Sequence, residues 1–389
     1  MSESPPHIAL TTEWVGTQAG GLEVYSRSLA TALAAGSHGY RLTAYTTRAR
    51  AMEGVPGLDA RFLRARSRAV FHGIALPVEL MRHPPDLLHV TSIPPLRSRV
   101  PYVMTLHDMG HRVMPDMYPP RIRWRLDRTI TMGLRRARRI ICVSDATRND
   151  LFHYHPEIPA DRVDVVAEGG LIETAPFDPF AEAAMRARHG LRDGYFLYVG
   201  RLHVRKNLLT LIDAYAALPE DLRAAHPLIL VGRAMYGGEE IADRIAGHGI
   251  GSQVRLMGHV PDADLAALFR GALAFVYPSL FEGFGLPPLE AMSLGAPVLT
   301  SDRHSLPEVV GDAGLCVDTT TPEPLCAAMR RLADDPALRQ DLSRRGLDRA
   351  SRFTWARAAE QTSHIYDRVL REAAIHHPAR FAPSGGQPW

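Results

Sequence analysis

Apolar residues along this chain alternate between short, nearly continuous runs and longer stretches in which they recur every three or four positions. In the amino-terminal half the runs are His7 to Thr11, Leu87 to Val90, Pro101 to Leu106 and Ile140 to Val143; in the carboxy-terminal half they are Tyr195 to Gly200, Leu228 to Gly232, Val254 to Val260 and Ala274 to Tyr277. Short apolar runs bounded by Gly, Pro and polar residues suit strands buried on both faces, as parallel sheets require. Between them, Val24, Tyr25, Leu29 and Leu33 share one side of a helix opened by Gln18-Ala19-Gly20-Gly21, and Leu208, Leu211, Ile212 and Tyr215 share one side of another. Strands followed by helices predict an α/β fold. The pattern lapses from Glu173 to Leu191, where T-A-P-F-D-P-F precedes a short Arg-rich helix. The expected organisation is a first domain over 1–175, a linker over 176–192, a second domain over 193–352, a helix over 353–375 and a disordered, Pro- and Gly-rich tail over 376–389.

Two segments at predicted strand ends carry candidate chemistry. Pro278 ends one strand, Gly283 and Gly285 allow tight turns and close backbone approach to a ligand, and Pro287-Pro288 suits the first turn of a helix over Leu289 to Leu294, stopped by Gly295 and Pro297. Glu282 precedes this glycine loop and Glu290 follows it. A carboxylate can accept from two vicinal hydroxyls, and backbone N–H groups at a helix start suit a phosphate or sugar oxygen. Arg201 and Lys206 lie just beyond the strand Tyr195 to Gly200, at the edge where open α/β sheets bind ligands. Two cations there, with a glycine loop in the same presumed sheet, suit a diphosphate.

Read as P-S-L-F-E-G-F-G-L-P-P-L-E and V-G-R-L-H-V-R-K-N, these segments resemble the signature of retaining GT-B glycosyltransferases, a large bacterial family marked by Glu, seven residues, Glu. It includes mannosyl- and glucosyltransferases of cell-surface polysaccharides. The likeness is strongest from Tyr195 to Asp318, where Leu306 to Gly314 matches the loop after the signature. It implies two Rossmann-like, doubly wound domains facing each other across a cleft, with the last helix crossing back to the first. Arg201 and Lys206 would stabilise the departing diphosphate without a metal or other cofactor. Glu290 would hold the nucleotide ribose, Glu282 the donor sugar hydroxyls, the backbone of Gly258 to Val260 the base, and Gly283, Phe284, Gly285 and Leu286 the sugar and phosphates. In the first domain, G-G-L-E-V-Y matches the family's Gly20-Gly21 loop, T-L-H-D-M places His107 at the sugar, and V-S-D-A-T places Ser144 at a helix start, where it suits an N-cap. Asp108 has an ordinary role as a turn acceptor. One segment departs from the pattern: Ala167-Glu168-Gly169 stands where the family usually has Pro-Asn-Gly.

Composition and charge narrow the picture. The 389 residues are 46% hydrophobic and 22% charged, as in ordinary globular domains. Net charge is +4 through Phe180 and −1 after it, which favours an anionic acceptor on the first domain and is far from the dense basic surface of a nucleic-acid binder. Ile122, Leu126, Ile130, Gly133 and Ala137 line one face of a helix whose other face carries Arg121, Arg125, Arg128, Arg135 and Arg139, a pattern suited to a solvated Arg face or to contact with anionic lipid or a polyprenyl-diphosphate acceptor. No run reaches the roughly twenty apolar residues that span a bilayer, and the first residues lack the form of a signal peptide. A cytoplasmic protein, peripheral to the membrane if that helix touches lipid, is expected. Cys142, Cys316 and Cys326 have no metal-ligand spacing and sit in apolar contexts. The resulting expectation is a retaining hexosyltransferase, with GDP-mannose as the first donor candidate and a glycan or lipid-linked glycan as acceptor. The alternatives are a GT-B-like epimerase or sugar phosphorylase, or a silent sugar-nucleotide binder. No G-x-G-x-x-G follows the first strand, which disfavours a dehydrogenase.

Overall fold

The computed structural model describes residues 5–18, 20–170, 178–233 and 238–376. It divides into two compact units: the described residues through Gly169 together with those from Trp355, and those from Gly170 through Thr354.

The first unit holds seven parallel strands, β1 (His7–Thr11), β2 (Arg41–Thr46), β3 (Leu58–Phe62), β4 (Leu87–Val90), β5 (Tyr102–Leu106), β6 (Arg139–Cys142) and β7 (Val163–Val165), in the order β3-β2-β1-β4-β5-β6-β7. The second holds six, β8 (Tyr195–Val199), β9 (Leu228–Val231), β10 (Val254–Gly258), β11 (Ala272–Tyr277), β12 (Val298–Ser301) and β13 (Gly314–Val317), in the order β10-β9-β8-β11-β12-β13. Each sheet thus repeats the doubly wound order 3-2-1-4-5-6, and the order reverses between β1 and β4 and between β8 and β11. At such a reversal the connections depart to opposite faces, which opens a crevice beyond the carboxyl ends of the two central strands. Central strands are buried on both faces, as in β1 and β4, where every residue is buried.

Strands β2 and β3 carry no apolar run, and the reason differs between them. In β2 the buried positions include Thr43 and Thr46, so burial does not show as hydrophobicity. The strand β3 lies at the sheet edge and leaves Asp59 and Arg61 on it. The basic helix, Pro120–Arg136, ends before the expected Ala137 and Arg139. Arg139 instead opens β6 and pairs with Asp164 at 3.1 Å, because register with Val103 in β5 draws the chain into the sheet. Of its expected apolar face, Gly133 is buried, Leu126 and Ile130 are half-buried, with Ile130 packed on the core, and Ile122 is exposed. Cys142 is buried and Cys316 and Cys326 are half-buried, so only the first is the enclosed small hydrophobe expected. Residues 171–177 of the boundary region and 377–389 of the tail lie outside the described residues. Pro179–Arg188 forms a helix of the second unit.

The last helix, Trp355–His376, packs within the first unit against the helix Gly21–Ala35. Its Tyr366 hydroxyl lies 2.5 Å from Nδ1 of His89, a fully buried residue of β4 whose Nε2 lies 2.8 Å from Thr105 Oγ1. Burial, reinforced by the nearby His107 charge, pushes the His89 pKa down to about 3. The folded state therefore keeps this ring neutral while the unfolded chain protonates near 6.5. Stability from this source is complete above pH 6.5 and is lost as pH falls from 6.5 toward 3, at up to about 1.4 kcal/mol per unit. Urea unfolding at pH 7, 6 and 5 is expected to show this loss, and His89→Gln to flatten it; an unchanged slope in the variant would place the proton uptake elsewhere.

Candidate active site

The site in the second unit grows from the reversal point of its sheet. Beyond β11 the chain leaves the ladder at Pro278, so the carbonyls of the loop 278–285 need other partners. Hydroxyl side chains provide them. Thr300 Oγ1 donates to Tyr277 O at 2.8 Å, Thr319 Oγ1 to Pro278 O at 3.2 Å, Ser301 Oγ to Ser279 O at 2.5 Å, and Ser305 Oγ lies 2.7 Å from Glu282 O and 2.6 Å from Phe284 O. The loop ends at Gly285, whose φ of 127° favours glycine and which precedes the helix Leu286–Ser293 with Pro287 in its first turn.

This cradle holds Glu282 inward. Its Oε1 accepts from Ser279 Oγ at 2.6 Å, from Tyr277 OH at 2.9 Å and from the ammonium of Lys206, which also donates to Tyr277 OH at 2.6 Å. Arg205 stands 3.7 Å from Oε2. Burial pushes the Glu282 carboxyl up, but the Lys206 and Arg205 charges and the hydrogen bonds from Lys206 and Ser279 outweigh it and hold the pKa at about 2. The Tyr277 ring is stacked against Tyr198 and Phe275, each 5.7 Å away, which fixes its hydroxyl between cation and carboxylate.

Lys206 reaches this point from the loop after β8. His203 Nδ1 accepts from Arg205 N at 3.1 Å and caps a tight turn, Val204–Lys206, after which Asn207 takes a left-handed conformation and donates to Thr319 O at 2.6 Å. Leu280 N donates to Arg205 O at 3.0 Å, so the two loops are joined by backbone as well as by charge. Lys206 is the sole lysine in the chain; the other 44 of its 45 Lys and Arg residues are arginine. A chain that uses arginine everywhere else keeps a compact ammonium here, where three donors on one atom fit a buried pocket that a planar guanidinium would not. That signal is in the sequence, and residue patterns alone overlooked it. Arg205, Tyr277 and Ser279 were likewise missed: Arg205 hides in a variable position of the motif, and Tyr277 reads as strand core.

The remaining expected residues fall nearby in the fold. Arg201 is exposed at the start of the same loop, whose carbonyl accepts from Tyr198 OH at 3.0 Å. Glu290 is half-buried on the helix Leu286–Ser293; Phe284 and Leu286 are buried, and Gly283 is half-buried in the loop. Val260 is buried just past β10. At Gly232, after β9, a Cβ would lie 1.8 Å from Gly200 O, so the rim of the sheet at this point admits only glycine.

In the first unit the elements that carry the expected residues reach His107, just beyond β5, through Tyr25 and Thr147. Gly20 precedes the helix Gly21–Ala35, which carries Tyr25 edge-on to the His107 ring at 4.6 Å. Ser144 caps the helix Asp145–Tyr154 by accepting from Thr147 N at 3.0 Å, and Thr147 Oγ1 donates to His107 O at 3.2 Å. His107 Nε2 donates to Thr91 O at 2.8 Å, while Nδ1 stands 3.3 Å from Glu168 Oε1. Asp108 accepts from Gly110 N at 2.8 Å, a turn role.

Two family models match the chain: "Glycosyltransferase Family 4" over residues 19–169 and "Glycosyl transferases group 1" over residues 182–349. The chain is 36% identical over 269 residues to O-antigen chain mannosyltransferase B of Escherichia coli, covering 68% of this chain and 69% of that protein. It is 32% identical over 242 residues to the serotype-specific mannosyltransferase WbdA of Escherichia coli, covering 61% of this chain and 30% of WbdA. Among solved structures, sucrose-phosphate synthase from Thermosynechococcus elongatus superposes with a TM-score of 0.76 at 23% identity, over 94% of this chain and 100% of that one, which establishes the GT-B fold.

Removing one member of a buried ion pair strands the other. Lys206→Met and Glu282→Gln are each expected to lower stability by about 3–5 kcal/mol, and the double variant to recover much of that loss. The carboxylate's contribution is complete above its ordinary value of 4.5 and is lost as pH falls toward 2. Urea denaturation of the three variants tests this, and additive single losses would refute the pairing.

Proposed function

We propose that the chain, which belongs to the group 1 glycosyltransferases, is a retaining hexosyltransferase that moves a sugar, mannose from GDP-mannose in the first instance, to a glycan or lipid-linked glycan. The names of its mannosyltransferase relatives support the sugar, and the buried Lys206–Glu282 arrangement at the sheet's reversal point carries the mechanism. Breaking the bond between the anomeric carbon and the diphosphate oxygen leaves negative charge on the diphosphate and oxocarbenium character on the sugar. Arg201 and Lys206 meet the first, in place of a metal. Glu282 accepts from donor sugar hydroxyls with the carboxylate oxygens its neighbours keep ionised, Glu290 holds the ribose, and the backbone from Gly283 to Leu286 faces the phosphates and sugar. Val260 and its neighbours line the base site. His107, Gly20, Gly21 and Ser144 serve the sugar from the first domain. The acceptor hydroxyl enters on the face the diphosphate leaves and gives its proton to the departing diphosphate oxygen, so configuration is retained.

The basic helix Pro120–Arg136 suits a peripheral contact with anionic lipid. It carries six arginines against one acidic residue, Asp127, and leaves Trp124 66% and Ile122 41% exposed. Arginines beside an exposed Trp fit a headgroup interface, where each cation contributes about 1 kcal/mol. Among the described residues no helix is long and apolar enough to cross a membrane.

Because Lys206 is the sole lysine, protein labelled with ¹³C-lysine gives a single side-chain signal. GDP, added without metal, is expected to shift that signal and to raise stability by about 2.7 kcal/mol at a hundred times its Kd, with UDP, dTDP and ADP weaker. A shift with UDP and none with GDP would reassign the donor, and no shift with any nucleotide would sink the diphosphate site. For the membrane contact, co-sedimentation with phosphatidylglycerol vesicles is expected for the native chain and lost when Arg121, Arg123, Arg125 and Arg128 are all replaced by Gln. Equal binding to phosphatidylcholine vesicles would rule out the electrostatic contact.

A further inference from the structure

We propose that Glu168 is a positioning residue that acts through the His107 imidazole, an inference that rests on reading His107 as part of the sugar site. The ring meets an acceptor at each nitrogen, and both hold it when the ring is the imidazolium. A carbonyl only accepts, so the nitrogen 2.8 Å from Thr91 O carries a proton. The other nitrogen faces the Glu168 carboxylate at 3.3 Å. The Tyr25 ring, edge-on at an interplanar angle of 89°, leaves little room to swing, and Thr147 anchors the His107 backbone from a third element. The Glu168 side chain is 6% exposed and the His107 side chain 16%, so the pair is screened weakly by solvent.

Glu168 arrives there by a short path. Val166 N donates to Cys142 O at 3.0 Å, which continues the pairing of β7 with β6 for one residue, and the chain then turns at the carboxyl edge of the sheet with Glu168 buried. An Asn at that position would be one methylene shorter and neutral. Here the position supplies a longer, charged partner for the imidazole. Without it the ring keeps one hydrogen bond and can rotate about that contact. With it the ring is a fixed surface, ordered before any sugar arrives, and such preordering matters most at the transition state.

The test has two arms. In full-length protein labelled with ¹⁵N-histidine, the hydrogen-bonded Nε2–H of His107, assigned by its loss in His107→Ala, is expected in the native chain and in Glu168→Gln, whose amide can still meet Nδ1. It is kept in Glu168→Ala, where the His107 Nδ1 resonance is expected to shift; an unchanged Nδ1 resonance there overturns the proposal whatever the donor. In turnover of GDP-mannose, Glu168→Ala is expected to lower kcat about 10- to 100-fold with the donor KM little changed. The same substitution in a His107→Ala background should add nothing, and additive losses overturn the proposal. A native chain that turns over no GDP-mannose refutes the donor assignment, while the ring signal still decides the role of Glu168.

Discussion

The second domain depends on one buried contact, the ammonium of Lys206 against the carboxylate of Glu282. Two charges taken out of water are tolerated only when each is met by the other and by further hydrogen bonds. Tyr277, Ser279 and Arg205 complete that set around the carboxylate. Because the cation comes from the loop after β8 and the anion from the loop after β11, satisfying the charges also fixes the distance between these loops. They flank the point where strand order reverses, so the same contact that closes the electrostatics shapes the crevice.

The loop that carries Glu282 is rigid for a second reason. A backbone that leaves a sheet must find donors for its carbonyls, and Thr300, Ser301, Ser305 and Thr319 supply them from β12 and the segments beyond. Each is fully buried, so water does not compete. In the first domain the same role falls to Thr91, which donates to Thr11 O, and to Thr147, which donates to His107 O. Thr105 joins Tyr25 to His89, and His89 joins the last helix through Tyr366. That helix is therefore tied to the neighbourhood of His107 by hydrogen bonds as well as by packing.

Much of this was legible in the sequence, and what was not has physical causes. Apolar runs marked the central strands because those are buried on both faces. They failed for β2, where buried threonines break the run, and for β3, where an edge position keeps Asp59 and Arg61 on the strand. The 3.6-residue period carried the basic helix too far, since Ala137 follows Gly133 and Arg139 follows Arg135 at helical spacing whether or not the chain is still helical. Pairing of Arg139 with β5 decides the end, and no local pattern reports it. The motif cations and carboxylates were legible because their spacing beyond the predicted strands matches a family signature. The hydroxyls that hold them were not, because Ser and Thr occur everywhere and acquire a role only when a carbonyl from 20 or more residues away meets them.

Arginine and lysine usage links these observations. In a chain with 44 arginines, most sites that need a positive charge are met by a planar, strongly basic group suited to exposed pairs and to stacking, as with Arg68 over Trp14 at 4.0 Å. Such a group has a fixed fork of donors and resists enclosure in a small pocket. At Lys206 the surroundings are a phenol hydroxyl, a carboxylate oxygen and a stacked aromatic wall, a pocket sized for one tetrahedral nitrogen. A guanidinium there would have to displace Tyr277 or Glu282, and either shift would pull apart the two loops the pair joins. The single lysine is thus a consequence of the site's geometry, and it marks from composition alone the residue on which that geometry turns.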